Sequence, residues 1–184
     1  MAKKTKQTYE ERVELPSSVT LQVVGKSVVL KGPKGEESEA IPKNVCVKVE
    51  GSEVVIFSND STRREKRLIG TLAAHIKSII HGVTDGCTYK MKVCSGHFPM
   101  NVSVSGNNLV VKNFFGEKAP RTLEFPSTVK VKVNGDEVVI ESHSRKVAGQ
   151  IAANIEKLTS RTKYDKRVFQ DGIYIVSKDG KLIE

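Results

Sequence analysis

Along most of the chain, apolar and polar residues alternate with a period of two, the signature of strands with one buried face. LQVVGKSVVLKG, residues 21–32, is a pair of β-branched runs around Gly25 and Lys26. Glycine at the first turn position predicts a type II′ hairpin there. VSVSGNNLVVKN, residues 102–113, repeats the pattern, with Gly106 or Asn107 supplying the positive φ of the turn. A second hairpin follows in each region: VCVKVEGSEVVI at 45–56 turns around Gly51, and VKVKVNGDEVVI at 129–140 turns at Asn134-Gly135, a type I′ signal.

After each set of strands the period lengthens to that of a helix. Leu68, Ile69, Leu72, Ala73, Ile76, Ile79 and Ile80 form one apolar stripe, and Val147, Ala148, Ile151, Ala152, Ile155 and Leu158 form another. Asp60, Ser61 or Thr62 can cap the first helix, and Ser142 or Ser144 the second.

The two regions are copies. SVVLKGPKGE at 27–36 aligns with NLVVKNFFGE at an offset of 81 residues, the quoted second hairpins align at 84, and TLAAHIKSI at 71–79 aligns with QIAANIEKL at 79. The offset changes only between elements, where loops absorb insertions. The sequence therefore predicts an α+β protein of two tandem duplicated domains, each a mostly antiparallel β-sheet packed against one main α-helix. The expected divisions are a basic tail at 1–11, a first domain at 12–85 and a second at 86–184. The connection HGVTDGCTYKMKVCSGHFP is expected to pass through a short strand, and is too ordered in pattern for a flexible linker.

Composition adds three constraints. With 38% hydrophobic residues, 5% aromatic and no tryptophan, the cores are expected to be aliphatic. No apolar run approaches the ~18 residues that span a bilayer, and MAKKTKQTYEER lacks the apolar stretch of a signal peptide, so a cytosolic protein with no membrane partner is expected. Cys46, Cys87 and Cys94 form an odd set without CxxC, which fits reduced thiols acting mostly as core filler.

Charge separates the copies. The net charge is +9, with three basic and no acidic residues over 1–9, eleven of each over 10–85, and sixteen basic against ten acidic over 86–184. A polyanionic partner engaged mainly by the second half is expected.

No catalytic constellation stands out, and none implies a cofactor or metal. Cys94 and His97 in CSGH lack the second ligand pair of a zinc site. His75 and His81 lie on the first helix, and His143 has no nucleophile motif beside it. GPKGEE lacks the GK[ST] ending of a phosphate loop and leads into strand-like residues, as does NFFGEK, so each reads as a hairpin or bulge turn.

What remains is SRTKYDKRVFQDGIY at 160–174, which holds most of a seven-residue insertion relative to the first copy. Arg161, Lys163, Lys166 and Arg167 there can pair with phosphates while Tyr164 offers a ring for stacking, a combination suited to irregular RNA. The competing reading is that Tyr164 and Phe169 pack the loop onto the core, and for Phe169, just before the strand GIYIV, that reading is preferred.

HFPMNV, NFFGEK, DGCTYKM and YDKRVFQDGIYIVSKDG resemble the archaeal and eukaryotic branch of a universal large-subunit ribosomal protein family, numbered six in bacteria and nine in the older eukaryotic scheme. The resemblance runs from ELPSSV at 14 to SKDG near the end and includes the duplication. It implies two α+β domains that bind large-subunit rRNA mainly through the second, near the sarcin-ricin loop and stalk base. Its implied neighbours are other large-subunit proteins, with translation factors nearby, on a cytoplasmic ribosome. It implies neither an enzyme nor a homo-oligomer.

Carried onto this chain, the RNA-facing positions are His97, Phe98 and Pro99, then Asn113, Gly116 and Lys118, and the stretch Arg161, Lys163, Tyr164, Lys166 and Arg167. Lys90, Lys92 and Arg121 are added as further phosphate contacts. The alternative is an RNA-binding, translation-associated factor that meets the ribosome only transiently.

Overall fold

The structure is a computed structural model that describes residues 9–58, 60, 62–165 and 167–183. The chain divides after Gly86 into two compact units.

The first unit runs β1 (Glu10–Glu14), β2 (Thr20–Val24), β3 (Ser27–Gly32), β4 (Gly35–Ala40), β5 (Cys46–Glu50), β6 (Glu53–Phe57) and α1 (Arg63–Thr84). Its strands form two antiparallel three-stranded sheets, β1-β6-β5 and β2-β3-β4. The reason for two sheets lies in the helix, whose stripe of Ile69, Leu72, Ala73, Ile76 and Val83 is broad enough to meet Val54 and Ile56 of one sheet and Val28 and Leu30 of the other in a single core. β1 starts at Glu10, so Glu10 and Glu11 of the expected tail belong to a sheet, while residues 1–8 lie outside the described residues.

The second unit runs β7 (Cys87–Cys94), β8 (Asn101–Ser105), β9 (Asn108–Lys112), a 3-10 turn (Phe114–Gly116), β10 (Arg121–Glu124), β11 (Lys130–Asn134), β12 (Glu137–Ser142), α2 (Arg145–Leu158), β13 (Gly172–Lys178) and β14 (Lys181–Leu182). β10-β9-β8 repeats the first unit's β2-β3-β4 sheet, whereas the counterpart of β1-β6-β5 has grown to β11-β12-β7-β13-β14. β7 is thus not a short connecting strand but an eight-residue central strand, because Cys87, Tyr89, Met91 and Val93 all alternate into the core. Tyr89, Met91, Val93, Val138, Ile140 and Ile173 meet Ala148, Ile151, Ala152 and Ile155 of α2.

The four glycine hairpins share one backbone geometry. Gly25, Gly51, Gly106 and Gly135 all have φ near +60° (60, 62, 59 and 60°), and the residue after each stays at negative φ, which fits the II′ pattern. The expected type I′ turn at Asn134-Gly135 is therefore displaced: Asn134 pairs with Glu137 as the last rung of the ladder, and the turn residues are Gly135 and Asp136. Moving the register by one residue would turn Val131 and Val133 away from the core.

The loops also diverge. GPKGEE is a tight hairpin, with Gly32 opposite Gly35. NFFGEK instead opens into the longer connection containing the 3-10 turn. Ser144 caps α2 by accepting from the Val147 N–H at 3.3 Å, whereas Thr62 caps α1 by position, without a side-chain bond, and Ser61 lies outside the described residues. Of the cysteines, Cys87 is core, Cys94 is half-buried and Cys46 is exposed, since β5 is an edge strand whose side chains are largely in solvent. His75 leaves the apolar stripe and faces Glu39, Nδ1 to Oε1 at 3.0 Å.

Candidate nucleic-acid interface

Three segments far apart in sequence converge in the second unit: the HFP turn after β7, the connection between β9 and β10, and the insertion between α2 and β13. A buried aspartate holds the first to the third. Asp171 is 5% exposed, and its carboxylate accepts the His97 backbone N–H at 2.9 Å and the ring Nδ1–H at 2.7 Å. Burial pushes its pKa up, but the backbone and ring hydrogen bonds from His97, with further backbone N–H groups from Phe98 and Gly96, outweigh it and hold the carboxyl below its ordinary range. Asn113 ties the second segment to the first by donating its Nδ2–H to the Pro99 carbonyl at 2.9 Å.

The middle segment is strained. Asn113, Phe115 and Gly116 all sit in the left-handed region, at φ 59, 51 and 74°. For phenylalanine that conformation costs about 1–2 kcal/mol. The strain lets adjacent rings serve different surroundings: Phe114 is buried in the core at 1% exposure, while Phe115 lies half-buried at the core's edge, its ring perpendicular to Phe114 at 4.9 Å. Phe115 then meets Phe98, Tyr164 and Phe169 at ring-centroid distances of 6.1, 5.6 and 6.1 Å. His97 lies 4.9 Å from Phe169, and Phe169 lies 5.1 Å from Tyr164. The guanidinium of Arg161 covers both Phe115 and Tyr164, at 5.1 and 4.7 Å.

The predicted residues separate into three groups. His97, Phe98, Pro99, Asn113, Gly116, Arg161 and Tyr164 come together in this cluster, with exposed Lys118, Lys163 and Arg167 on the same three segments. Lys166 lies outside the described residues. Lys90 and Lys92 are elsewhere: they alternate with the core residues of β7 and occupy the sheet face away from α2, where Lys90 is 3.6 Å from Glu137.

Arg121 points inward. It makes a two-pronged bond to Glu117 at 2.8 and 2.8 Å, donates to the Leu158 carbonyl at the end of α2 at 2.5 Å, and lies over the Phe114 ring at 4.4 Å. The hydrogen bond from Arg121 is the main influence that lowers the Glu117 pKa, against a rise from burial. These contacts make Arg121 a clamp between the strained connection and the helix. Sequence reasoning missed Phe115, Glu117 and Asp171; the doubled phenylalanine was the available signal for the first. Nothing local marked Asp171, which reads as an ordinary turn residue before a strand.

The comparisons with known proteins agree with this architecture. A family model described as Ribosomal protein L6 matches residues 15–86 and 98–172, one stretch in each unit. The chain is 41% identical over 174 residues to the large ribosomal subunit protein uL6 of Methanococcus vannielii, covering 94% of this chain and 96% of that protein. It is 41% identical over 168 residues to the uL6 of Methanothrix thermoacetophila, covering 91% and 96%. With both repeats matched and relatives aligned almost end to end, the chain belongs to the ribosomal protein L6 family.

Proposed function

We propose that this protein is a structural constituent of the large ribosomal subunit in the cytoplasm, and that it holds rRNA mainly through the second unit. It carries out no reaction of its own. The observation that carries the reading is the convergence of three loops on a cluster of partly exposed rings, flanked by Arg161, Lys118, Lys163 and Arg167 and fixed from beneath by Asp171. Such a surface suits folded RNA, whose phosphates pair with the cations and whose unstacked bases meet the rings. Following the family resemblance, the site is near the sarcin-ricin loop and stalk base, beside other large-subunit proteins and the region where translation factors dock.

The test is a salt series of full-length protein binding to large-subunit rRNA fragments. Replacing Arg161, Lys163 or Arg167 by Gln is expected to flatten the plot of log K against log salt by about 0.7–0.9 per lost phosphate contact. An affinity insensitive to salt, or to these three substitutions, would refute it. Retention on large subunits through a high-salt wash separates an integral component from a transient factor.

A further inference from the structure

The aromatic cluster forms one side of a cavity of about 310 Å³ at the carboxyl end of α2. We infer that this cavity holds a single unstacked nucleobase of the RNA that the second unit binds, an inference that rests on the function proposed above. Its volume is near the lower limit of small-ligand sites, which suits one flat heterocycle.

The lining explains the choice of a base over a phosphate. Phe115, Tyr164 and Phe169 supply ring surfaces, and the charged groups of the lining balance, Glu156 and Asp171 against Lys157 and Arg161, so the rings rather than a net positive charge decide what the interior takes. Arg161 stacks on the same rings, placing its positive charge where the backbone of an inserted nucleotide is held. The Tyr174 ring also reaches the cavity, folded back over Gly172 so that its hydroxyl lies 3.1 Å from where a side chain on that glycine would begin. Thr159 and Asp171 are already engaged, by the Ile173 N–H and by His97, so among the described residues Glu156, Lys157, Ser160 and Tyr174 are placed to meet the polar edge of the base.

The strained backbone at Phe115 supports the same conclusion. Phe114 alone is fully buried, and the left-handed conformation places a second ring so that it both packs on the core edge and lines this cavity. Tyr164 remains 41% exposed, leaving ring surface for stacking. Paired bases of an A-form helix cannot reach such a site, but a base splayed from a loop or bulge can.

Ultraviolet crosslinking of the full-length protein to large-subunit rRNA identifies the nucleotide, and an rRNA fragment abasic at that position completes the test. One nucleotide is expected to crosslink to the segments at 113–118 or 160–171. Tyr164→Ala and the abasic change are each expected to weaken binding about 5- to 100-fold, the effect of one base–aromatic stack. The two together should weaken it no more than either alone, and Tyr164→Phe should retain affinity. Losses that multiply, or no crosslink to these segments, would overturn the inference while leaving rRNA binding intact. Failure of the unaltered protein to bind rRNA would instead remove the functional reading itself.

Discussion

Replacing Asp171 by Asn tests how the interface is held. The change preserves shape but substitutes an amide N–H₂ for one of two oxygens that face only donors: the His97 N–H and Nδ1–H, and the backbone N–H groups of Phe98 and Gly96. Hydrogen bonds to an ionised group contribute about 1.5–3 kcal/mol each, and one or two are lost here, so a net cost of about 2–4 kcal/mol is expected. At about 4–8 °C per kcal/mol for a unit of this size, the unfolding midpoint of the second unit should fall by about 8–32 °C near neutral pH.

The pH dependence sharpens the test. Because the folded-state pKa of Asp171 lies below its unfolded value of about 3.9, its stabilisation is present above that value and is lost as pH falls through the folded pKa. The gap between wild type and variant should therefore narrow in strong acid. Calorimetric melts near neutrality and in acid, below about pH 3, would read it directly. A neutral-pH loss under about 3 °C, or a gap undiminished in acid, would refute the account of Asp171 as an ionised latch.

Three further outcomes follow from other contacts. Gly32→Ala should destabilise the first unit by about 1–3 kcal/mol through overpacking, because the added carbon would sit 2.7–2.9 Å from Val83 side-chain and carbonyl atoms; a two-transition melt should show the second unit unmoved. Arg121→Lys should destabilise the second unit by about 1–3 kcal/mol, since an ammonium cannot reproduce the fork to Glu117, yet leave the salt slope of RNA binding unchanged. Ser144→Ala should cost about 1 kcal/mol in a denaturant titration by removing the cap of α2.

The fold was largely legible in the sequence because it rests on local periodicity. Alternating valines and isoleucines determine the strand faces, the stripes at helical spacing determine α1 and α2, and the internal repeat ties both into one pattern written twice. The basic-aromatic segment at 160–174 was also legible, since its residue types carry the chemistry themselves. Long-range pairing was not. The central place of β7 follows from ladders to β12 and β13, partners some 50 and 80 residues away, and that place puts Lys90 and Lys92 on the sheet face opposite α2. Likewise the inward turn of Arg121, the place of Phe115 between the core edge and the Tyr164 ring, and the joining of His97 to Asp171 depend on which loops meet at the end of α2. Periodicity tells a side chain whether it faces a core; only the packed arrangement of several elements tells it which partner it finds there.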